Sequence, residues 1–496
     1  MSELHPLPKE IWEKTPVEAQ ALLLVFLKKA QQFDQLEKRI VELELEKNQQ
    51  IEQLQKRVIE LEERLKLNST NSSKPPSSDP PSVKRPGRPK KKRKRGGQKG
   101  HKGHKRELLP TEEVDELVVL APEKCAHCDH PLSGIDEAPF RHQVWEIPPV
   151  KPVVREYQLH QLTCPACQGI TRVHWPEGVS QSAFGPRLQA MASLCAGYYF
   201  LSRRAIQRLM SDFFGVALSL GSISRLEEKT SEALAEPVEE AREYVQQTNR
   251  CNADETGYKE KTKQHWLWVV TTAMVSVFSF AASRGSKIIK GLLGEKYKGI
   301  VGTDRWSGYN WLPDERRQFC WAHLKREFEK WLLRGGKSAE LGEILLKKTK
   351  EMFRNWHRVR DGTLSREVFK RRMEHMEKEV EHFLSQGAKG KQKKTAATCR
   401  ELLKHKEALW VFVKNEGVEP TNNAAERMLR PSVLWKKRSF GTESPTGSRF
   451  VERMMTVVTT LNQQNRHVLD YVTAACEARL RGDSPPSLLP PQKNTP

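Results

Sequence analysis

The sequence has no acidic residue between Lys84 and Arg106, a stretch that carries 13 lysines and arginines. Over all 496 residues, 84 Lys and Arg stand against 62 Asp and Glu, a net charge of +22. A surplus that is both clustered and spread suits a polyanion, with nucleic acid ahead of a membrane surface. Long apolar runs are missing too. The longest uncharged run, Trp266 to Ser283, is 18 residues, the lower limit for a membrane span. It contains five Ser or Thr and alternates with period two in "VSVFSF", so it reads as two neighbouring strands. No signal peptide is expected. "MSELHPLPKE" has acids where a basic region belongs, and "ALLLVFL" is short and lacks a cleavage site, so a cytoplasmic protein without a membrane partner is expected. The nine cysteines are odd in number, which argues against a disulfide framework and for metal ligation by some of them. No glycine-rich phosphate loop and no activated Tyr or Ser stands out, so neither ATP nor a covalent protein intermediate is called for.

The length suits roughly three domains. From Phe33 to Leu65 apolar residues recur in steps of three and four, with a stutter at Lys47, as in a coiled coil that joins copies of the chain. A single helix packed on its own domain is the alternative. Residues 68–107 have hardly any large apolar side chain and are expected to stay disordered until bound. Within them "PGRPKKK" resembles a minor-groove hook, but Pro86 stands where the first arginine would be. The expectation is therefore phosphate attraction by Lys90, Lys91, Lys92, Arg93, Lys94 and Arg95, with Arg88 inserted into the minor groove.

"CAHC" and "CPAC" set Cys125, Cys128, Cys164 and Cys167 as two CxxC pairs, the spacing of a closed, structural, tetrahedral zinc site. His127 and His130 are alternative donors. Residues 186–235 read as helices. "SRRAIQRLMSDFFG" followed by "SLGSISRLEEKTSEAL" fits a helix-turn-helix with Ser222, Ser224 and Arg225 toward DNA, or else a plain helical hairpin.

After residue 247 strands take over: "RCNADETGYKE" carrying Asp254, "HWLWVVTTAMV" and "VFSFAAS" as hairpin neighbours, a helix, then "GIVGTDRWSGYN" ending its strand at Asp304. The short strand "RRQFC" leads into "WAHLKREFEKWLL", where Trp321, Leu324, Phe328 and Trp331 form a buried stripe. The expected β-β-β-α-β-α-β-α order is that of a ribonuclease-H-like sheet. In "TNNAAERMLR", Ala424, Ala425, Met428 and Leu429 make an apolar stripe, and Glu426 lies on the polar side with Asn422, Asn423 and Arg430.

"ADETG", "GTDRWSGYN", "CWAHLKREF" and "TNNAAERMLRP", together with "NSSKPPSSD", "GGQKGHKGH" and the paired CxxC units, resemble the transposases of the insertion sequence 66 family, of the Asp-Asp-Glu class. The resemblance covers about 68 to 470. It departs at Arg305 and Trp306, where glycine and tyrosine are commoner. What it implies is a bacterial enzyme, nucleoid-associated, that binds the terminal inverted repeats of its element and performs strand cleavage and strand transfer. Asp254, Asp304 and Glu426 would hold two Mg²⁺ (or Mn²⁺) ions, Asp254 shared between them. Such ions supply a nucleophile, charge relief on the phosphate and a stabilised leaving oxygen, and they favour carboxylate donors. The resemblance also places His323 and Arg326 near the scissile phosphate, with a surface histidine and a structural arginine as the alternative. Lys436, Lys437 and Arg438 are candidate phosphate contacts.

The fold expectation is a multidomain α+β chain: a helical coiled-coil segment (1–67), a basic linker (68–110), a zinc-ribbon-like module (111–178), a helix-turn-helix-like region (179–247), a ribonuclease-H-like catalytic domain (248–470) with a helical, basic insertion at about 336–415, and a tail (471–496). That insertion reads as a clamp on DNA ends or as a solvated helical face. Expected partners are double-stranded DNA, further copies of the chain and small companion proteins. Two other functions fit the same features: a noncatalytic DNA-binding regulator on the same scaffold, and a structure-selective nuclease.

Overall fold

A computed structural model describes residues 8–65 and 106–491. The basic arm with Arg88, Lys90, Lys91, Lys92, Arg93, Lys94 and Arg95 lies outside the described residues. In chain order the elements are α1 (Lys9–Trp12), α2 (Val17–Leu65), β1 (Gln161–Thr163), β2 (Ile170–Arg172), α3 (Pro186–Gly197), α4 (Arg203–Phe214), α5 (Leu220–Ala233) and α6 (Ala235–Gln247). Then follow β3 (Arg250–Glu260), β4 (Lys263–Thr271), β5 (Ser276–Ala281), α7 (Ser286–Leu293), β6 (Ile300–Thr303), β7 (Arg317–Phe319) and α8 (Trp321–Arg334). The chain ends with α9 (Gly336–Arg360), α10 (Arg366–Ala388), α11 (Lys393–Lys404), α12 (Val411–Lys414), α13 (Asn423–Ser439), α14 (Pro445–Gln463) and α15 (Val468–Arg481).

Of the described residues, those of Met1–Lys84 and His323–Lys404 form one compact unit and those of Arg85–Ala322 and His405–Pro496 the other. In the first, α2 runs 49 residues, roughly 70 Å at 1.5 Å per residue. Its apolar positions Phe33, Leu36, Ile40, Leu43, Ile51, Leu54, Val58 and Leu61 are all exposed. The helices α8 to α11 bury most of theirs. On α10, Phe369, Met373, Met376, Val380 and Leu384 recur every three or four residues and point inward. The expected α8 stripe of Trp321, Leu324, Phe328 and Trp331 is buried throughout.

In the second unit the sheet has the order β5-β4-β3-β6-β7. The β5-β4-β3 part is antiparallel, and β3, β6 and β7 run parallel. Both faces are covered, which explains why β4 reads as a nearly continuous apolar run. Trp268 and Val270 join the larger core with β3 residues Cys251 and Ala253 and the helices α3 to α6. Leu267 and Val269 face the other way, onto Tyr258, Phe278 and the apolar stripes of α13 and α14.

One expectation needs correcting: no α-helix stands between β6 and β7. The crossover is made by two 3₁₀ turns, Ser307–Tyr309 and Asp314–Arg316. The segment is held instead by Arg317, whose guanidinium is fully buried and bonds Thr303 Oγ1, Asn310 Oδ1 and the carbonyls of Asp304 and Trp306 at 2.7–3.1 Å. A buried cation so completely hydrogen-bonded ties the loop without a helix.

The edge strand β5 is closed by side chains of α14. The backbone N–H groups of Ser276 and Phe278 donate to Thr460 and Thr456 Oγ1, both at 3.0 Å, and that of Phe280 to Glu452 Oε2 at 2.8 Å. Acceptors four residues apart on a helix thus meet alternate residues of a strand, and the edge cannot pair with another chain.

Candidate active site

Strand alternation decides which carboxylate of "ADETG" faces which layer. Cys251 and Ala253 lie in the larger core, so Glu255 points to that side. There its carboxylate is tied to Arg284 at 2.6 Å and accepts from the Tyr309 hydroxyl at 2.9 Å. Asp254 takes the opposite face, under α13.

Asp304 follows directly on β6. The parallel register pairs Asn252 with Gly302, and Asp254 and Asp304 are each two residues further along neighbouring strands. The Asp304 carboxylate accepts the Trp306 N–H at 2.8 Å, a turn that fixes one oxygen. Trp306 in turn lies under the Arg284 guanidinium, 3.9 Å from its ring centre.

Glu426 is brought in by the start of α13. Asn422 was expected on the polar side of this helix, and it is instead fully buried. Its amide donates to the Ala253 carbonyl at 2.9 Å and accepts from Asn252 at 3.0 Å, so the helix is stapled to β3 beside Asp254. The Glu426 N–H bonds the Asn422 carbonyl. Further along α13, Lys436 reaches Thr256 Oγ1 at 3.0 Å and the Gly257 carbonyl. Contacts at both ends lay α13 along the face of β3 that carries Asp254.

The electrostatics follow from this arrangement. Burial pushes the Asp254 carboxyl well above the usual range, and the charges of Glu255, Asp304 and Glu426 push it in the same direction against one N–H bond from Glu255. Burial and the charge of Asp304 also raise Glu255, opposed by Arg284 and Tyr309. Carboxylates that repel one another in a buried place favour a cation nearby, and oxygen donors suit a hard divalent ion.

A family model described as "Transposase IS66 family" matches residues 181–449, a span that contains all three acids. The chain belongs to that family. A second model, the "zinc-finger binding domain of transposase IS66", matches 122–168 and includes the four cysteines, and a family of unknown function matches 3–107. The chain is 25% identical over 264 residues to the uncharacterized protein y4qI of Sinorhizobium fredii, covering 47% of this chain and 48% of that protein. The chain thus spans about half the length of this relative.

Elsewhere in the chain the cysteines form two matching knuckles. The N–H of Cys125 bonds the carbonyl of His130 and that of Cys164 the carbonyl of Gly169; the N–H groups of Asp129 and Gln168 close the turns onto Cys125 and Cys164. Backbone N–H groups and the second thiol of each pair lower the Cys125 and Cys164 thiols, so both are readied as thiolates. Each pair fits half of a zinc site. Among the described residues the four thiols are not gathered into one cluster, which differs from the expected closed site. Between Pro110 and Pro186 regular structure is limited to a 3₁₀ turn at Thr111–Glu113 and two three-residue strands, a segment with too little core of its own, as in modules that an ion organises.

Two successive helices, α4 and α5, stand where a helix-turn-helix or a plain helical hairpin was expected. Gly215 adopts φ +65° as the C-cap of α4, and Ser219 caps α5 by accepting the Ser222 N–H. Ser222 and Ser224 are half-buried and Arg225 is exposed. Of the three cations at the end of α13, Lys437 and Arg438 are exposed, while Lys436 is engaged with β3, which differs from its expected role as a phosphate contact. His323 and Arg326 are half-buried on α8 and belong to the other compact unit. Among the described residues no helix is long and apolar enough to cross a membrane.

Sequence reasoning did not single out Glu255, Arg284, Tyr309, Arg317 or Asn422. Their partners are remote along the chain: Arg284 is 29 residues from Glu255, and Asn422 is 170 from Asn252. Only the period of the strand carried a signal, because it sends Asp254 and Glu255 to opposite faces.

Proposed function

We propose that the chain is a DNA transposase that cuts and joins strands at the ends of its own element, with Asp254, Asp304 and Glu426 as the divalent-metal ligands. The observation that carries this reading is that α13, carrying Glu426, lies over the face of β3 that carries Asp254, beside the end of β6 with Asp304, and that the charges of Asp304 and Glu426 both raise the Asp254 carboxyl. The strand order, with β3 central, antiparallel to β4 and parallel to β6, supports a ribonuclease-H-like catalytic domain.

Divalent cations held there supply charge relief on the phosphate, a nucleophile from water or a 3′-hydroxyl, and a stabilised leaving oxygen. The chain's own residues set the geometry for this. Trp306 N–H holds one oxygen of Asp304 and leaves the other available; Asn422 fixes the helix that presents Glu426; Arg317 holds the Asp304 backbone. Glu255 is neutralised by Arg284 and kept out of the donor set. Mg²⁺ or Mn²⁺ suits the oxygen donors, and one structural Zn²⁺ suits the two cysteine knuckles. Zinc module, basic arm and helix-turn-helix are the proposed DNA contacts, and the exposed apolar positions of α2 support self-association as a coiled coil.

The test is excision and insertion of a marked DNA segment bounded by the gene's own flanks. Movement with wild-type protein and none with Glu426→Gln, both binding the ends equally, is the expected result. Movement with Glu426→Gln would overturn the assignment.

A further inference from the structure

The helical unit His323–Lys404 contains a cleft that the catalytic reading does not use. It has a volume of about 590 Å³ and is lined by Lys325 of α8 and by Lys350, Phe353, Arg354, His357 and Arg358 of α9. That size lies in the range of small-ligand pockets. On α9 these residues follow the spacing i, i+3, i+4, i+7, i+8, so the helix presents one continuous stripe. Its walls are mainly apolar, made by the Phe353 ring and the alkyl stems of the long cations. Phe353 and His357 stack at 25°, with ring centres 6.4 Å apart, which widens the flat surface. No carboxylate lines the cleft, and among the described residues Lys350 and Arg354 have no acidic partner.

We infer that this cleft is a seat for an unpaired DNA strand, with Phe353 as the stacking surface for a base and Lys350, Arg354 and Arg358 as the row that follows the phosphates. This rests on DNA being the chain's partner and specifies the form of DNA the helical unit takes. A duplex presents phosphates and groove edges to a helix and keeps its base faces covered, so it has no use for an aromatic surface inside a concavity. An unpaired strand offers both a base face and a backbone charge. Aromatic rings beside a cationic groove are the chemistry that recognises it, and they tolerate any base. The i, i+4, i+8 row of cations provides the groove; Phe353 provides the ring.

The experiment is fluorescence anisotropy of a labelled single strand and of the matching duplex on the full chain carrying Asp254→Asn, so that no cleavage intervenes. The single-strand titration is run in excess unlabelled duplex to occupy duplex-binding surfaces. Phe353→Leu keeps the apolar volume and removes the ring; Phe353→Tyr restores it. Single-strand affinity should fall roughly 5- to 100-fold with Phe353→Leu and recover with Phe353→Tyr, while duplex affinity stays put. A strand carrying 2-aminopurine should be quenched by the Phe and Tyr forms and not by the Leu form. The inference is overturned if single-strand and duplex affinities fall together, if neither changes, or if Leu and Tyr behave alike. Because cleavage is never read, failure here leaves the three-acid assignment standing, and failure of that assignment leaves this measurement valid.

Discussion

The sheet and the cysteine module belong to the same unit of the chain and are organised by different means. In the sheet, Trp268 is 0% exposed and every layer is closed by side chains. In the module, Ile135 is 94% and Phe140 95% exposed, and the regular parts are short: two turns around thiols, the β1–β2 hairpin and a 3₁₀ turn. The difference shows where each region keeps its core. One buries alternating strand residues under helices, and the other, with little apolar burial, is the kind of segment that a bound ion would organise.

Four predictions sharpen or break this comparison. The largest effect is expected from zinc removal: a strong chelator, or Cys164→Ser, should open the segment between about 123 and 172 to protease and leave the thermal transition of the sheet unchanged. If the sheet melts with the module, the two are not independent. Next, Asp254→Asn or Asp304→Asn should reduce strand cleavage by roughly a thousandfold or more, since a lost metal ligand removes several kcal/mol of transition-state stabilisation. DNA affinity by anisotropy should not change. Cleavage by either variant would remove that acid from the site.

A smaller effect is expected at Asn422. Asn422→Ala leaves the Ala253 carbonyl without its buried side-chain donor and the Asn252 amide with only the Thr421 carbonyl at 3.4 Å, at a cost of about 1–3 kcal/mol in denaturant unfolding. It should also loosen the start of α13 and reduce cleavage. Unchanged stability would mean that the staple does not hold the helix.

The smallest effect concerns the sheet edge and pH. Burial raises the Glu452 carboxyl from its ordinary value of 4.5, against the Phe280 N–H and the Arg242 charge. For an acid raised in the folded state, stability is greatest at low pH and falls as pH rises through the folded value. Glu452→Gln keeps an acceptor for the Phe280 N–H and loses the charge. It should therefore flatten the decline of stability with pH above about 4.5, by no more than about 1 kcal/mol at neutrality. A steeper decline in the variant would reverse the sign of this argument.

Much of the catalytic region was legible because it depends on local rules. The strand "RCNADETGYKE" runs over the residues expected of it, and the α8 stripe is buried as its period requires. The crossover from β6 to β7 was not legible, because two 3₁₀ turns and the buried Arg317 replace a helix, and four hydrogen bonds from one side chain leave no periodic trace. Asn422 was misplaced for a related reason. A polar residue at a helix start is ordinarily solvated or capping, and here β3 supplies its partners from 170 residues away.

Composition and local pattern alone carried the basic charge, the cysteine pairs, the strand and helix periods, and the three candidate acids through the motifs around them. The packing laid α13, which carries Glu426, over the face of β3 that carries Asp254, and turned Glu255 away to Arg284. A pleated strand offers two faces equally, and only the helix stapled across one of them distinguishes that face.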